Sequence, residues 1–192
     1  MGIGGQAVRR AVFLDRDGVI NEAVVRRGKP YAPASPAETR IVDDAPQALG
    51  LLKKAGFQLA VISNQPDVAR GTQTREAVEA INALLARQLP LNLFEICYHD
   101  DADGCECRKP KPGLIYRSAK ALSVDPASGF VIGDRWRDIE AGRTAGCRTV
   151  WIDRGYEEKQ PIGYDFRANS LFDAVEWILQ HVGQKMNGGV GT

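Results

Sequence analysis

Asp15 and Asp17 stand one residue apart at the end of an unbroken apolar run, Ala11-Val12-Phe13-Leu14, with Arg16 between them and Gly18 after. Two carboxylates that close repel each other unless a proton or a cation lies between them. A hard cation held by oxygen ligands, Mg²⁺, is the natural counter-charge. A carboxylate is also a nucleophile of the kind that forms an aspartyl-phosphate. Given a phosphate ester, Asp15 could attack it. Asp17 could protonate the departing alkoxide and later take a proton from water. Gly18 lets the chain turn so that both side chains approach one region. Taken alone, the stretch also reads as a solvated acidic turn after a strand.

Three further groups answer the same chemistry. Ser63 ends the apolar run Leu59-Ala60-Val61-Ile62, and its hydroxyl with neighbouring amides could hold phosphoryl oxygens. Lys109 offers a compact positive charge to those oxygens. Asp134, after Phe130-Val131-Ile132-Gly133, would complete the Mg²⁺ site, and Asp138 could fix Asp134 or its neighbours by hydrogen bonding. Each has a plain structural role when read singly, as a turn, surface or helix-starting residue. Their joint placement after apolar runs is what points to phosphoryl transfer.

The elements that must position these groups follow from the pattern. Five apolar runs, at 11–14, 59–62, 94–98, 129–132 and 149–152, read as buried strands. Between them lie helical stretches. One starts at Asp44 as capping residue, with Pro46 in its first turn and Leu49 and Leu52 inward, and stops at Gly56. The next is capped by Thr74 and carries Val78, Ile81, Leu84, Leu85 and Leu89. Others span 113–122, the segment up to Gly146, and 170–182. This alternation predicts an α/β fold with a doubly wound, Rossmann-like parallel sheet, whose ligands sit beyond the carboxyl ends of the strands. Residues 21–42, with Pro30, Pro33 and Pro36, argue against a regular element and suggest a substrate-facing flap. The expected organisation is a leader over residues 1–10, one domain over 11–183 without a large cap, and a flexible tail over 184–192.

Three of the four cysteines fall within residues 97–107. Cys97, His99, Cys105 and Cys107 offer three thiolates and one imidazole, a closed set suited to tetrahedral structural Zn²⁺. The polar run between them is too poor in apolar residues to order itself, so the metal would pin the loop and place Arg108 and Lys109. Cys147 reads as a small buried residue at a helix end.

Asp15-Arg16-Asp17-Gly18, Ile62-Ser63-Asn64-Gln65, Lys109 and Gly133-Asp134-x-x-x-Asp138 resemble the four ordered motifs of the haloacid dehalogenase superfamily of phosphatases, over residues 11–153. Within it the chain is similar to the histidinol-phosphatase-related branch. The resemblance implies Asp15 as nucleophile, Asp17 as acid and base, and Ser63 and Lys109 as phosphoryl stabilisers. It implies Mg²⁺ on Asp15, on Asp134 and on the backbone carbonyl of Asp17. Arg108 and Arg135 fall where the family contacts substrate, and Arg16, Asn64, Gln65 and Arg70 are expected to join them. The zinc spacing also matches that branch.

Two substrates compete in this resemblance, a heptose bisphosphate and histidinol phosphate. Residues 64–71 resemble the heptose members except for Pro66-Asp67, whereas the short metal loop also suits the histidinol members. The basic group Arg26, Arg27, Lys29, Arg70, Arg108 and Arg135 favours a substrate with a second phosphate, which arginine can hold bidentately. A zinc-stabilised module without catalysis is the reading from another class. The net charge of +1 argues against wholesale binding to nucleic acid or an anionic membrane. The partner expected is a phosphorylated small molecule, met by a cytoplasmic monomer.

Overall fold

The computed structural model describes residues 9–187, with side chains through 183. Its centre is a six-stranded sheet in the order β5-β4-β1-β6-β7-β8, every neighbouring pair parallel. The strands are β1 (Ala11–Leu14), β4 (Gln58–Asn64), β5 (Leu93–Cys97), β6 (Phe130–Gly133), β7 (Arg148–Ile152) and β8 (Phe166–Ala168). Helices α1 (Ala45–Lys54), α2 (Arg75–Gln88), α3 (Gly113–Leu122), α4 (Trp136–Thr144) and α5 (Leu171–Asn187) connect and close it.

The pleat sends alternate residues of each strand to opposite faces. Val12, Leu14, Leu59, Val61, Phe130 and Ile132 join one apolar cluster with residues of α1, α2 and α5. Ala11, Phe13, Ala60, Ile62 and Val131 join the other, with residues of α3 and α4. Burial on both faces is why β1 reads as a continuous apolar run. Each fully buried leucine or isoleucine stabilises the fold by about 1.5–3 kcal/mol. From β1 the chain builds outward on one side through β4 and β5. It then crosses to build the other side through β6, β7 and β8. The reversal point lies between β4 and β6, where β1 ends, and that is where open α/β sheets form their crevice.

Four details differ from the sequence reading. Residues 21–42 hold an antiparallel hairpin, β2 (Val24–Arg26) with β3 (Lys29–Tyr31). Its turn is Arg27-Gly28, both at positive φ (49° and 72°), the geometry of a two-residue hairpin. Pro30 obscured it, but proline is tolerated on a two-stranded edge. β8 is a short sixth strand that has no long apolar run to announce it. Asp44 precedes α1 without a side-chain cap bond, and its carboxylate accepts instead from the Phe172 amide of α5 at 2.8 Å. Of the tail expected over 184–192, residues 184–187 continue α5, and residues 188–192 lie outside the described residues, as do 1–8 of the leader. No helix among the described residues is long and apolar enough to cross a membrane.

Candidate active site

Asp15 follows the last residue of β1, and its amide donates to the Ile132 carbonyl of β6 at 2.9 Å. That ladder bond fixes the carboxylate beside the end of β6, where Asp134 follows Gly133. Lys109 follows the Cys/His segment 97–107 and is buried (2% exposed). Its ammonium lies 2.9 Å from Asp15 Oδ1 and 2.6 Å from Asp138 Oδ1, and donates to the Ile62 carbonyl at 2.8 Å. These two carboxylates hold the lysine well above its ordinary pKa, against the opposing effect of burial. Burial and the Asp138 charge push the Asp15 carboxyl up to about 6, although Lys109 opposes them.

Asp134 is buried, and neither of its oxygens has a hydrogen bond of ordinary geometry. Burial, then the charges of Asp15 and Asp138, raise its carboxyl well above the usual range, and the nearby Tyr156 hydroxyl offsets this only in part. Asp15, Asp134 and Asp138 each offer an oxygen within 4.8 Å of the others. Asp138 is already engaged, by Lys109 and by the Arg135 amide at 3.0 Å. The unpartnered oxygens are therefore those of Asp134, with Asp15 beside it. An all-oxygen, strongly anionic set of this kind fits Mg²⁺. Gly18 makes the approach possible. A side chain there would start 1.8 Å from Asp134 Oδ2, and its φ of +91° disfavours any residue with a Cβ.

Asp17 is gripped on four sides. Arg16 Nε and Asn21 Nδ2 donate to Oδ1, and Arg16 Nη2 and Gln65 Nε2 to Oδ2, at 2.8–3.1 Å. Gln65 also donates to the Ser63 hydroxyl at 2.8 Å. Arg16, expected among the substrate contacts, turns inward instead. Its guanidinium is wholly buried, paired with Asp17 and donating to Asn82 at 3.0 Å, because α2 offers a polar residue under it. Asn64 holds Lys109 at both ends of its amide, accepting from the lysine amide and donating to its carbonyl at 3.0 Å.

Asp15, Asp17, Ser63, Asn64, Gln65, Lys109 and Asp138 line one side of a cavity of about 240 Å³, together with Lys29, Pro30 and Tyr31 of the hairpin. Arg70, Arg108 and Arg135 ring its outer wall, each already holding a carboxylate, whereas Arg26 and Arg27 of the hairpin are not among the lining residues. Arg70 makes a two-bond fork on Asp100 at 2.7 and 2.8 Å. Arg108 Nε donates to Asp101 at 2.8 Å. Arg135 forks onto Glu158 at 2.6 and 2.9 Å.

The Cys/His loop closes the wall. Cys97 ends β5, and the four donors from Cys97, His99, Cys105 and Cys107 lie within 4.8 Å of one another. The three sulfurs are 3.1–3.7 Å apart, and His99 Nδ1 is 3.3 Å from Cys107 Sγ and 3.6 Å from Cys97 Sγ. Soft thiolates around one imidazole suit a tetrahedral metal with no open position. Cys147 is buried away from this cluster, its thiol donating to the Pro126 carbonyl at 3.1 Å.

Sequence reasoning passed over Asn21, Asn82, Arg137 and Glu158. Only Asn82 had a visible signal: a polar residue on the apolar stripe of Val78, Ile81 and Leu85. Asn21 and Glu158 matter through contacts with residues distant in the fold or turned back by a tight bend, which no local pattern announces.

Known proteins place the chain. A HAD-hydrolase-like family model matches residues 106–177. A D-glycero-D-manno-heptose-1,7-bisphosphate 7-phosphatase of Chlorobaculum tepidum is 32% identical over 188 residues, covering 86% of this chain and 92% of that one. A D-glycero-beta-D-manno-heptose-1,7-bisphosphate 7-phosphatase of Pseudomonas aeruginosa is 32% identical over 155 residues, covering 77% and 83%. The crystal structure of D,D-heptose 1,7-bisphosphate phosphatase from B. bronchiseptica, complexed with magnesium and phosphate, is similar with a TM-score of 0.76 at 29% identity, covering 91% of this chain and 99% of that one. At that identity and coverage the chain belongs to the haloacid-dehalogenase-like hydrolases, among the phosphatases of that family, which are phosphoric monoester hydrolases.

Proposed function

We propose that the protein removes the 7-phosphate of D-glycero-D-manno-heptose 1,7-bisphosphate in a Mg²⁺-dependent reaction through an aspartyl-phosphate on Asp15. The observation that carries this reading is the buried Lys109 ammonium held between Asp15 and Asp138, next to the unpartnered oxygens of Asp134. The names of the relatives support the choice of substrate.

Asp15 Oδ1 accepts from Lys109 and from the Arg16 amide at 2.8 Å, so Oδ2 is the oxygen left to attack phosphorus. The new bond forms on Asp15 as the phosphorus–oxygen bond to the sugar breaks. Asp17 serves the leaving alkoxide only in its protonated form, turned away from the Arg16 and Gln65 donors; it gives up that proton and takes one back from the water that hydrolyses the aspartyl-phosphate. The Ser63 hydroxyl can donate to a transferring oxygen, and the Lys109 charge beside Asp15 stabilises the phosphoryl group. Mg²⁺, held by Asp15, Asp134 and the Asp17 carbonyl, would supply charge neutralisation for an anionic nucleophile meeting an anionic ester. Zn²⁺ in the Cys/His cluster would serve structure, keeping Lys109 and the outer arginines in place.

Phosphate release tests the reading. Both anomers of the heptose bisphosphate, histidinol phosphate and a simple sugar monophosphate are compared across Mg²⁺ concentrations. Mg²⁺-dependent turnover led by a heptose bisphosphate anomer is expected. Turnover of histidinol phosphate with neither anomer cleaved would replace the substrate. No release from any ester would favour a non-catalytic zinc-stabilised module.

A further inference from the structure

We propose that Tyr156 positions Asp134 for the cation, its hydroxyl donating to one carboxylate oxygen and leaving the other to face Mg²⁺, a role that rests on the Mg²⁺ site of the reading above.

Tyr156 belongs to the segment after β7, which no motif marks. The residue is buried, and the chain around it is tied down on both sides. Gly155, at a φ of +69°, turns the segment back, and its amide donates to Asp153 Oδ1 at 2.9 Å. Arg154 Nε donates to the Gly18 carbonyl at 2.9 Å. The Glu157 amide donates to the Gly28 carbonyl of the hairpin at 2.8 Å. Between those anchors the Tyr156 ring has one direction left to it, toward Gly18 and Asp134.

The hydroxyl and Asp134 Oδ2 meet over Gly18. A Cβ on that glycine would stand 2.8 Å from the hydroxyl and would collide with Oδ2, so both oxygens face the space that the missing side chain leaves. A buried tyrosine hydroxyl usually finds an acceptor. No other side chain among the described residues claims the Asp134 oxygens with a bond of ordinary geometry. The main chain of Asp134 is held separately, since Trp151 Nε1 of β7 donates to its carbonyl at 3.1 Å. The freedom that remains is rotation of the carboxylate, and a donor on one oxygen stops it. Mg²⁺ demands near-ideal octahedral geometry, so a ligand that turns holds it less well.

Tyr156 reaches the reaction only through Asp134. It lines a separate cavity of about 450 Å³ with Gly18, Glu22, Asp43 and Arg154, whereas Asp15, Ser63 and Lys109 line the other. Its loss should therefore show in Mg²⁺ binding and spare the chemistry once the ion is in place.

Tyr156→Phe deletes the hydroxyl and keeps the ring. Mg²⁺ affinity is read by calorimetric titration without substrate, and by the rise in melting temperature on adding the ion. The affinity is expected to fall about tenfold or more, as when a hydrogen-bonded partner behind a metal ligand is removed. The melting temperature without Mg²⁺ should stay within about two degrees, and kcat at saturating Mg²⁺ within about threefold. Unchanged Mg²⁺ affinity would overturn the role, and a lowered ion-free melting temperature beside it would make Tyr156 a packing residue. Arg154→Gln releases the Gly18 carbonyl and one of the anchors of Tyr156, and should weaken Mg²⁺ in the same direction. It decides the matter if Tyr156→Phe does not fold, unchanged affinity again overturning the role. An unsubstituted protein that takes up no Mg²⁺ would remove the cation site itself and the reading built on it. Equal Mg²⁺ binding by parent and variants would remove Tyr156 alone.

Discussion

The floor of the cavity and its outer wall are built on opposite principles. On the floor, Asp15, Lys109, Asp134 and Asp138 are all nearly inaccessible, between 1% and 8% exposed. They stand within one or a few residues of strand ends or are clasped by backbone and amide contacts. On the wall, the Arg70 and Asp101 side chains are 44% and 57% exposed, and ion pairs with a Cys/His cluster replace apolar contacts. Buried charges are tolerable only when their set is complete, and removing one partner costs much more than an exposed pair is worth. The floor should therefore lose stability abruptly when its shared cation is removed, and the wall by degrees.

The largest effect belongs to the nucleophile. Asp15→Asn should lower kcat about a thousandfold or more, because an amide cannot take the phosphoryl group. Its melting temperature should fall little, since Asp15 is pressed by Asp138 as well as held by Lys109. An Asp15→Asn enzyme at the parental rate would end the covalent reading. Lys109→Met comes next and strikes stability as well. It leaves Asp15 and Asp138 facing each other without their shared cation, which should cost about 3–5 kcal/mol in denaturant unfolding along with most of the activity. A loss under about 1 kcal/mol would mean that the floor tolerates an incomplete charge set, and the contrast with the wall would dissolve.

Gly18→Ala tests the same region through the backbone. A Cβ would collide with the Asp134 carboxylate in a conformation reserved for glycine, and the strain should cost about 1–3 kcal/mol. Mg²⁺ should bind more weakly to the variant, read by the concentration needed for half-maximal activity and by the thermal shift on adding the ion. Unchanged Mg²⁺ affinity would remove Asp134 from the cation site.

The same contrast governs what the sequence could reveal. Floor residues announce themselves because strands, apolar runs and motif positions are local signals. Asp15, Ser63 and Lys109 line the cavity at the edge where the sheet reverses, and Asp134 follows β6 beside Asp15. The wall is legible only in composition. Its arginines are visible as basic residues, yet which carboxylate each one meets depends on long-range folding. Arg16 is the instructive departure. It sits inside the most informative stretch of the chain, and its neighbours face the cavity. A buried Asn82 on α2 nevertheless draws it beneath the floor, where it holds Asp17. The hairpin of residues 24–31 was hidden for another reason: a proline in a strand outweighs a glycine turn in any local reading.

The metal loop joins the two regions, and its loss should be graded. Cys105→Ala, or chelation of the cluster, removes one donor from a set that orders a loop without apolar support. Activity should fall about tenfold, chiefly by misplacing Lys109 and Arg108, with a lowered melting temperature and a zinc content below one per chain by elemental analysis. Full activity and full thermal stability in Cys105→Ala would show that Lys109 is placed by Asn64 and the strand ends alone.

The smallest effect lies in the ion pairs of the wall. The Arg70 fork on Asp100 holds that carboxyl down at about 2, below the ordinary value near 3.9. A carboxyl depressed in the folded state favours folding above its unfolded pKa and loses that contribution as the pH falls through its folded pKa. The bridge between the loop after β4 and the metal loop should thus be intact above about pH 4 and fade from there toward pH 2. Arg70→Gln should return the Asp100 carboxyl, followed by carbon NMR, most of the way to the ordinary value. Its melting temperature at pH 7 should stay within about two degrees, since an exposed pair contributes little. A large drop at pH 7 would mean that the wall is as cooperative as the floor. An unmoved Asp100 titration would mean that Arg70 does not hold it in solution and is free to meet the substrate.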